Sequence, residues 1–174
     1  MFEIQNLDQQ IAIYIDVAVA MVLGGLIGLE REWARKPAGF RTHTLVAGSA
    51  AFLVGLADVL VSSFTGDATG EQIRTDPIRI VEAIVTGIAF LGAGTIFRSA
   101  SGQTVEGLTT AASILLVAAI GICIALKQYP LGVAVTLTAL AVLRIIRFIE
   151  QRFLVTKEKR SIKRRAQEQG KQLE

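Results

Sequence analysis

Five apolar runs separated by polar segments organise the chain, at residues 11–29, 42–63, 78–97, 108–126 and 131–149. Each has about 20 residues, the length an α-helix needs to cross a bilayer core. The third run is full of glycine and alanine and carries Glu82 one turn in from its start. In a water-soluble helix each of its glycines would cost about 1 kcal/mol against alanine. In lipid, small residues instead let helix backbones approach closely. Ala83, Gly87 and Gly94 fall on one face and Ala89 and Ala93 on a neighbouring one, which puts this helix at the middle of the bundle. In the first run Asp16, Ala20, Gly24 and Gly28 recur every fourth residue; in the second, Ala47, Ala51, Gly55 and Asp58 share a face. Gly24, Gly28, Gly87, Gly92 and Gly94 are therefore the expected helix-packing positions. The pattern predicts an all-α integral membrane protein, a bundle of five transmembrane helices over residues 1–149 followed by a basic tail at 150–174.

Charge sets the orientation. The loop 30–41, EREWARKPAGFR, holds Arg31, Arg35, Lys36 and Arg41, and the segment from Arg144 onward is mostly basic. The N-terminus and the loop 64–77 are acidic or balanced. Positive charge collects in cytoplasmic loops. Five spans with the N-terminus outside bring the first loop, the third loop and the tail to one cytoplasmic side, whereas four would separate the two basic segments. Trp33, Tyr14 and Tyr129 fall near span ends, where amphipathic rings belong. A basic segment just past a span attracts anionic lipid at about 1 kcal/mol per residue. Lipid is thus the expected contact of the tail, ahead of a partner protein, and the pI near 9.3 is not read as a nucleic-acid signal.

Composition agrees with the membrane class: 174 residues, 52% hydrophobic, mean hydropathy +0.52. Glu3 and Asp8 precede the first run in place of a basic stretch, so it is read as a span and not as a signal peptide. The lone Cys123 can close no intramolecular disulfide and is read as filling space.

This orientation turns three carboxylates into a candidate constellation. Asp16, Asp58 and Glu82 each lie four or five residues from an outer span end, roughly 6 to 8 Å below the surface. Intramembrane acids are costly and ask for a reason. One reading is an outward-facing site for Mg²⁺ or protons, since oxygen ligands suit a hard cation. The other is shallow acids that reach interfacial water, with Glu82 paired to Arg79. At the inner side Glu30, Arg31, Glu32, Arg35, Lys36 and Arg41 join Arg98 at the base of the third run. Glu30 and Arg31 are expected to pair with Arg41 or Arg98, as a charged collar or a binding site. His43, the only histidine, excludes a histidine-based zinc site and is read as an interfacial, hydrogen-bonded side chain. Residues 36–39 read as a tight turn needing Pro37 and Gly39. Gly92-Ala93-Gly94 follows no strand and is not a nucleotide loop. Neither a nucleophile–base pair nor a cofactor loop is apparent, so no catalytic residue is expected.

Several short motifs then add up. GGLIGLEREW from Gly24, KPAGFRTH from Lys36, DPIRI from Asp76, GIAFLGAG from Gly87, GLTTAA from Gly107 and AAIG from Ala118 together closely resemble the MgtC/SapB family. The resemblance covers runs one to four in order. It implies a non-enzymatic protein of the bacterial inner membrane tied to magnesium limitation. Some relatives are virulence factors for survival inside macrophages, and one mechanism proposed for the family is restraint of the F-type ATP synthase. The inner-face functional set is read as Glu30, Arg31, Lys36, Arg41, His43, Arg98 and Thr109. The chain departs from the family pattern at Ala83, Ala89 and Leu115. It stops short of the C-terminal cytoplasmic domain some members carry, so regulation through that domain is not expected. A homo-oligomer, a dimer for instance, is expected. The competing expectation is a Mg²⁺ or proton transporter; the span middles are apolar apart from Ser49, Thr86, Ser113, Thr136 and Thr138.

Overall fold

Each of the five apolar runs forms a helix in the computed structural model, which describes residues 3–65, 77–98 and 105–146. These are α1 (Glu3–Trp33), α2 (Phe40–Thr65), α3 (Pro77–Ala93), α4 (Leu108–Ala125) and α5 (Tyr129–Ile146). Between α3 and α4 stand two short antiparallel strands, β1 (Phe97–Arg98) and β2 (Val105–Glu106), paired Phe97 to Glu106 and Arg98 to Val105. Stretches of α1, α2, α4 and α5 are long and apolar enough to cross a membrane: Leu7–Trp33, Phe40–Val61, Leu108–Ala125 and Tyr129–Ile146. The acidic second loop, the tip between the strands and the basic tail with its boundary at 149–150 lie outside the described residues.

The third helix is shorter than its apolar run. It ends at Ala93 and not at Phe97, with 17 residues. The physical reason is its glycine-rich end. Thr95 N–H donates to Gly92 O (2.9 Å), Ile96 N–H to Ala93 O (3.1 Å), and the Thr95 hydroxyl to Gly92 O (2.7 Å). Tight three-residue turns of this kind close a helix end, and the last apolar residues continue as β1.

Packing also corrects the expected centre. The densest association is α1 with α2, followed by α2 with α4 and α1 with α4, while α3 leans chiefly on α4. The core is the small and branched layer between the first three: Ala20, Ile27, Ala47, Ala50, Ile114 and Val117, each at most 1% exposed. Gly24 and Gly28 pack as expected. A Cβ at Gly24 would lie 2.5 Å from Ala47 Cβ, and one at Gly28 2.9 Å from His43 Cβ. Gly92 faces Ala111 of α4 at ordinary contact distance. Gly87, however, has open space where a Cβ would stand, and Gly94 meets only its own turn. The α3 glycines therefore do not mark two packed faces. A glycine-mediated close contact is made instead by Gly121 of α4, where a Cβ would collide with Ala47 O of α2.

Two helix ends share one motif. At α1, Lys36 N–H donates to Arg31 O and Arg35 N–H to Glu32 O, with Arg35 at φ 53°. At α4, Gln128 N–H donates to Cys123 O and Lys127 N–H to Ile124 O, with Lys127 at φ 61°. This is the Schellman pattern with a basic residue where glycine is usual. Gly39 has no positive φ; instead a Cβ there would press on Glu32 Oε2 at 2.9 Å, so closeness and not turn conformation explains it. The turn falls at residues 34–35, ahead of Pro37. By packing the chain divides into units 1–138 and 139–174, the second holding the end of α5.

Candidate functional site

A buried polar centre forms where α1 ends and α2 and α4 begin. Glu30 and Arg31 lie in the last turn of α1, only 4% and 3% exposed. They pair with each other: Arg31 Nε donates to Glu30 Oε2 at 2.7 Å, and Nη2 lies 2.5 Å from the same oxygen. Glu30 Oε1 is buried without a hydrogen-bond partner. The expected pairing with Arg41 or Arg98 is not what forms, because both of those side chains face outward. Taking an ion pair out of water costs several kcal/mol per ion unless it is well bonded, so this pair asks for a reason beyond stability.

His43, in the first turn of α2, is fully buried rather than interfacial. Its Nδ1 lies 2.8 Å from Gly39 O and its Nε2 2.9 Å from Ser113 Oγ on α4. Ser113 Oγ lies 2.8 Å from Thr110 O, and Thr110 is itself 1% exposed. The close approach at Gly28 is what lets the ring enter between helices. A serine hydroxyl in reach of an imidazole is the geometry of a nucleophile and its base, which the sequence, with 70 residues between them, did not disclose. Ser113 is 4% exposed, however, and Nδ1 meets a carbonyl instead of an orienting carboxylate. Next to it Glu32 Oε2 accepts the Phe40 N–H at 2.8 Å. One helix thus caps the next, and a carboxylate stands at the positive end of the α2 dipole.

Of the inner-face set, Glu30, Arg31 and His43 meet in this centre. Lys36, Arg41, Arg98 and Thr109 are exposed. Ser113 and Thr110 were not singled out, although the polar Thr109-Thr110 and Ser113 at the start of an apolar run were the available signal; Glu32, read with the charged inner group, caps α2.

A second polar cluster lies further back on α1, about 21 Å away by helix rise. Asp16, 4% exposed, receives the Lys127 ammonium on Oδ2 and the Tyr129 hydroxyl on Oδ1 at 2.6 Å. The bond to Asp16 holds the Lys127 ammonium above the usual lysine range. Asp58 and Glu82 are exposed. Among the described residues no group of three His, Cys, Asp or Glu side chains could hold a metal ion, so Asp16, Asp58 and Glu82 are not brought together.

Among curated proteins, YhiD of Escherichia coli K12 is 40% identical over 136 residues, 75% of this chain and 59% of the relative. MgtC of Salmonella typhimurium LT2 is 39% identical over 138 residues, 79% of this chain and 54% of the relative. The chain thus spans little more than half the length of these relatives. No solved structure matches. The MgtC family sequence model matches residues 17–152, which begin just after Asp16 and include Glu30, Arg31, His43, Lys127 and Tyr129, and the chain belongs to the MgtC family.

Proposed function

We propose that this is a non-enzymatic factor of the bacterial inner membrane that supports growth when magnesium is scarce, acting on a membrane partner or on ion balance. The observation carrying this reading is the match to MgtC and to YhiD over the helices that hold both polar clusters. A role without transport is supported by Asp16, whose carboxylate is already engaged by Lys127 and Tyr129. The proposed arrangement is five spans with the N-terminus outside, an anionic-lipid contact through the tail, and a homo-oligomer. The test is complementation of a bacterium lacking its own MgtC-family gene. Growth should be restored in micromolar Mg²⁺ and indistinguishable from the deletion strain's in millimolar Mg²⁺, while purified chain in liposomes passes neither Mg²⁺ nor protons. Failure to restore low-magnesium growth would overturn the reading.

A second reading, transport, is favoured by the name of the relative, "Putative magnesium transporter YhiD". Liposome flux of Mg²⁺ that Asp16→Asn abolishes would establish it.

A further inference from the structure

We propose that His43 is a proton-binding site whose occupancy is coupled to rotation of the Ser113 hydroxyl at the α2–α4 contact. This goes beyond the reading above, because its ligand is the proton and it requires no magnesium. Gly39 O can only accept, so Nδ1 carries a hydrogen in every state. Ser113 Oγ has one hydrogen and two acceptors in reach, His43 Nε2 at 2.9 Å and Thr110 O at 2.8 Å. With a neutral ring the hydroxyl donates to Nε2, and Thr110 O keeps the bond of the helix ladder. With a protonated ring Nε2–H donates to Ser113 Oγ, and the hydroxyl turns to Thr110 O. Every donor finds an acceptor in both states, and no heavy atom has to move. The carbonyl and the hydroxyl satisfy the neutral ring as well; what the hydroxyl adds is an acceptor for a second ring hydrogen.

The surrounding charges are mixed. From α1, Arg31 opposes an imidazolium, and Glu30, paired to that arginine, has a buried oxygen, Oε1, left without a hydrogen-bond partner. From α2 and the preceding connection, Arg41, Arg35 and Lys36 are exposed to solvent or headgroups. From α4 the uncharged Ser113 meets the ring, with Thr110 O behind its hydroxyl. A proton arriving at Nε2 converts a neutral hydrogen bond between two helices into a charge-assisted, stronger one. The inner end of the α2–α4 contact therefore tightens on protonation.

His43 is the chain's only histidine, so the full chain labelled with ¹⁵N-histidine, carrying no histidine tag and held in lipid nanodiscs, reports one ring. The expected result is a neutral tautomer with hydrogen on Nδ1 at high pH. It becomes doubly protonated as the pH is brought down to about 5. Ser113→Ala should lower the midpoint by about half a pH unit or more, because a charged donor loses more than a neutral acceptor when its partner is removed. Ser113→Thr should bring it back. A ring that stays neutral down to pH 5 overturns the proposal, and so does a midpoint unmoved by Ser113→Ala.

Discussion

Ala47 of α2 is held between Gly24 of α1 and Gly121 of α4, and no side chain fits at either glycine. Gly121→Ala should therefore destabilise by about 1 to 3 kcal/mol, as overfilling a close-packed site does. Gly87→Ala meets open space and should stabilise α3 by about 0.5 to 1 kcal/mol through helix propensity alone. Unfolding in mixed detergent–SDS micelles measures both; equal losses would mean that Gly87 faces a helix after all. Lys127 makes a different prediction. Its ammonium is held above the ordinary lysine value of 10.5 by Asp16. A cation with a raised folded value contributes fully below its unfolded value, and the contribution disappears as pH rises through the folded one. Thermal stability should thus owe no pH dependence to this pair between pH 6 and pH 9 and should fall above about 10.5. Lys127→Met should be less stable at neutral pH and should lose most of that alkaline fall. An unchanged alkaline slope in the variant would detach Lys127 from Asp16.

The helix ends carry information that hydropathy does not. Both Schellman turns place a basic residue in left-handed backbone, a conformation costing a non-glycine residue roughly 1 kcal/mol or more. At Arg35, whose side chain points outward, glycine should recover about 1 kcal/mol, seen as a higher unfolding midpoint. At Lys127 the same substitution should give a net loss, because Asp16 then stays buried without its cation. Glu32→Ala should cost about 1 kcal/mol by removing the acceptor from Phe40 N–H at the start of α2. The existence of every helix was legible as an apolar run, since hydropathy over 17 or more residues reports the solvent. The end of α3 was not legible, because Ile96 and Phe97 are as apolar as the helix before them. Only the bonds made by Thr95 and by the turn separate strand from helix.

Across the molecule, the small-residue face of α1 was read correctly because Gly24 and Gly28 repeat at a helix turn, and a repeat on one face marks a neighbour; on α2 the reading holds for Ala47 and Ala51 but not for the exposed Asp58. The same logic failed for α3, where small residues also serve a helix end and a lipid-facing surface. The buried centre was half visible: Glu30, Arg31 and His43 were singled out, but which groups they meet depends on the approach of α4, 70 residues away in sequence. Both centres are anchored on α1, Asp16 with Lys127 and Tyr129 at one level and Glu30, Arg31 and His43 at another. Their separation of about 21 Å fits within the thickness of a bilayer core. The turn at Arg35 and the turn at Gln128 should then lie on opposite sides of the membrane. In a Cys123→Ser background, a membrane-impermeant maleimide added to intact spheroplasts should label Gln128→Cys and leave Arg35→Cys untouched. Inverted vesicles should reverse the two. Labelling of both from one side would mean that α1, α2 and α4 do not cross the bilayer as a packed trio, and the inner and outer assignment of the two polar centres would fall with it.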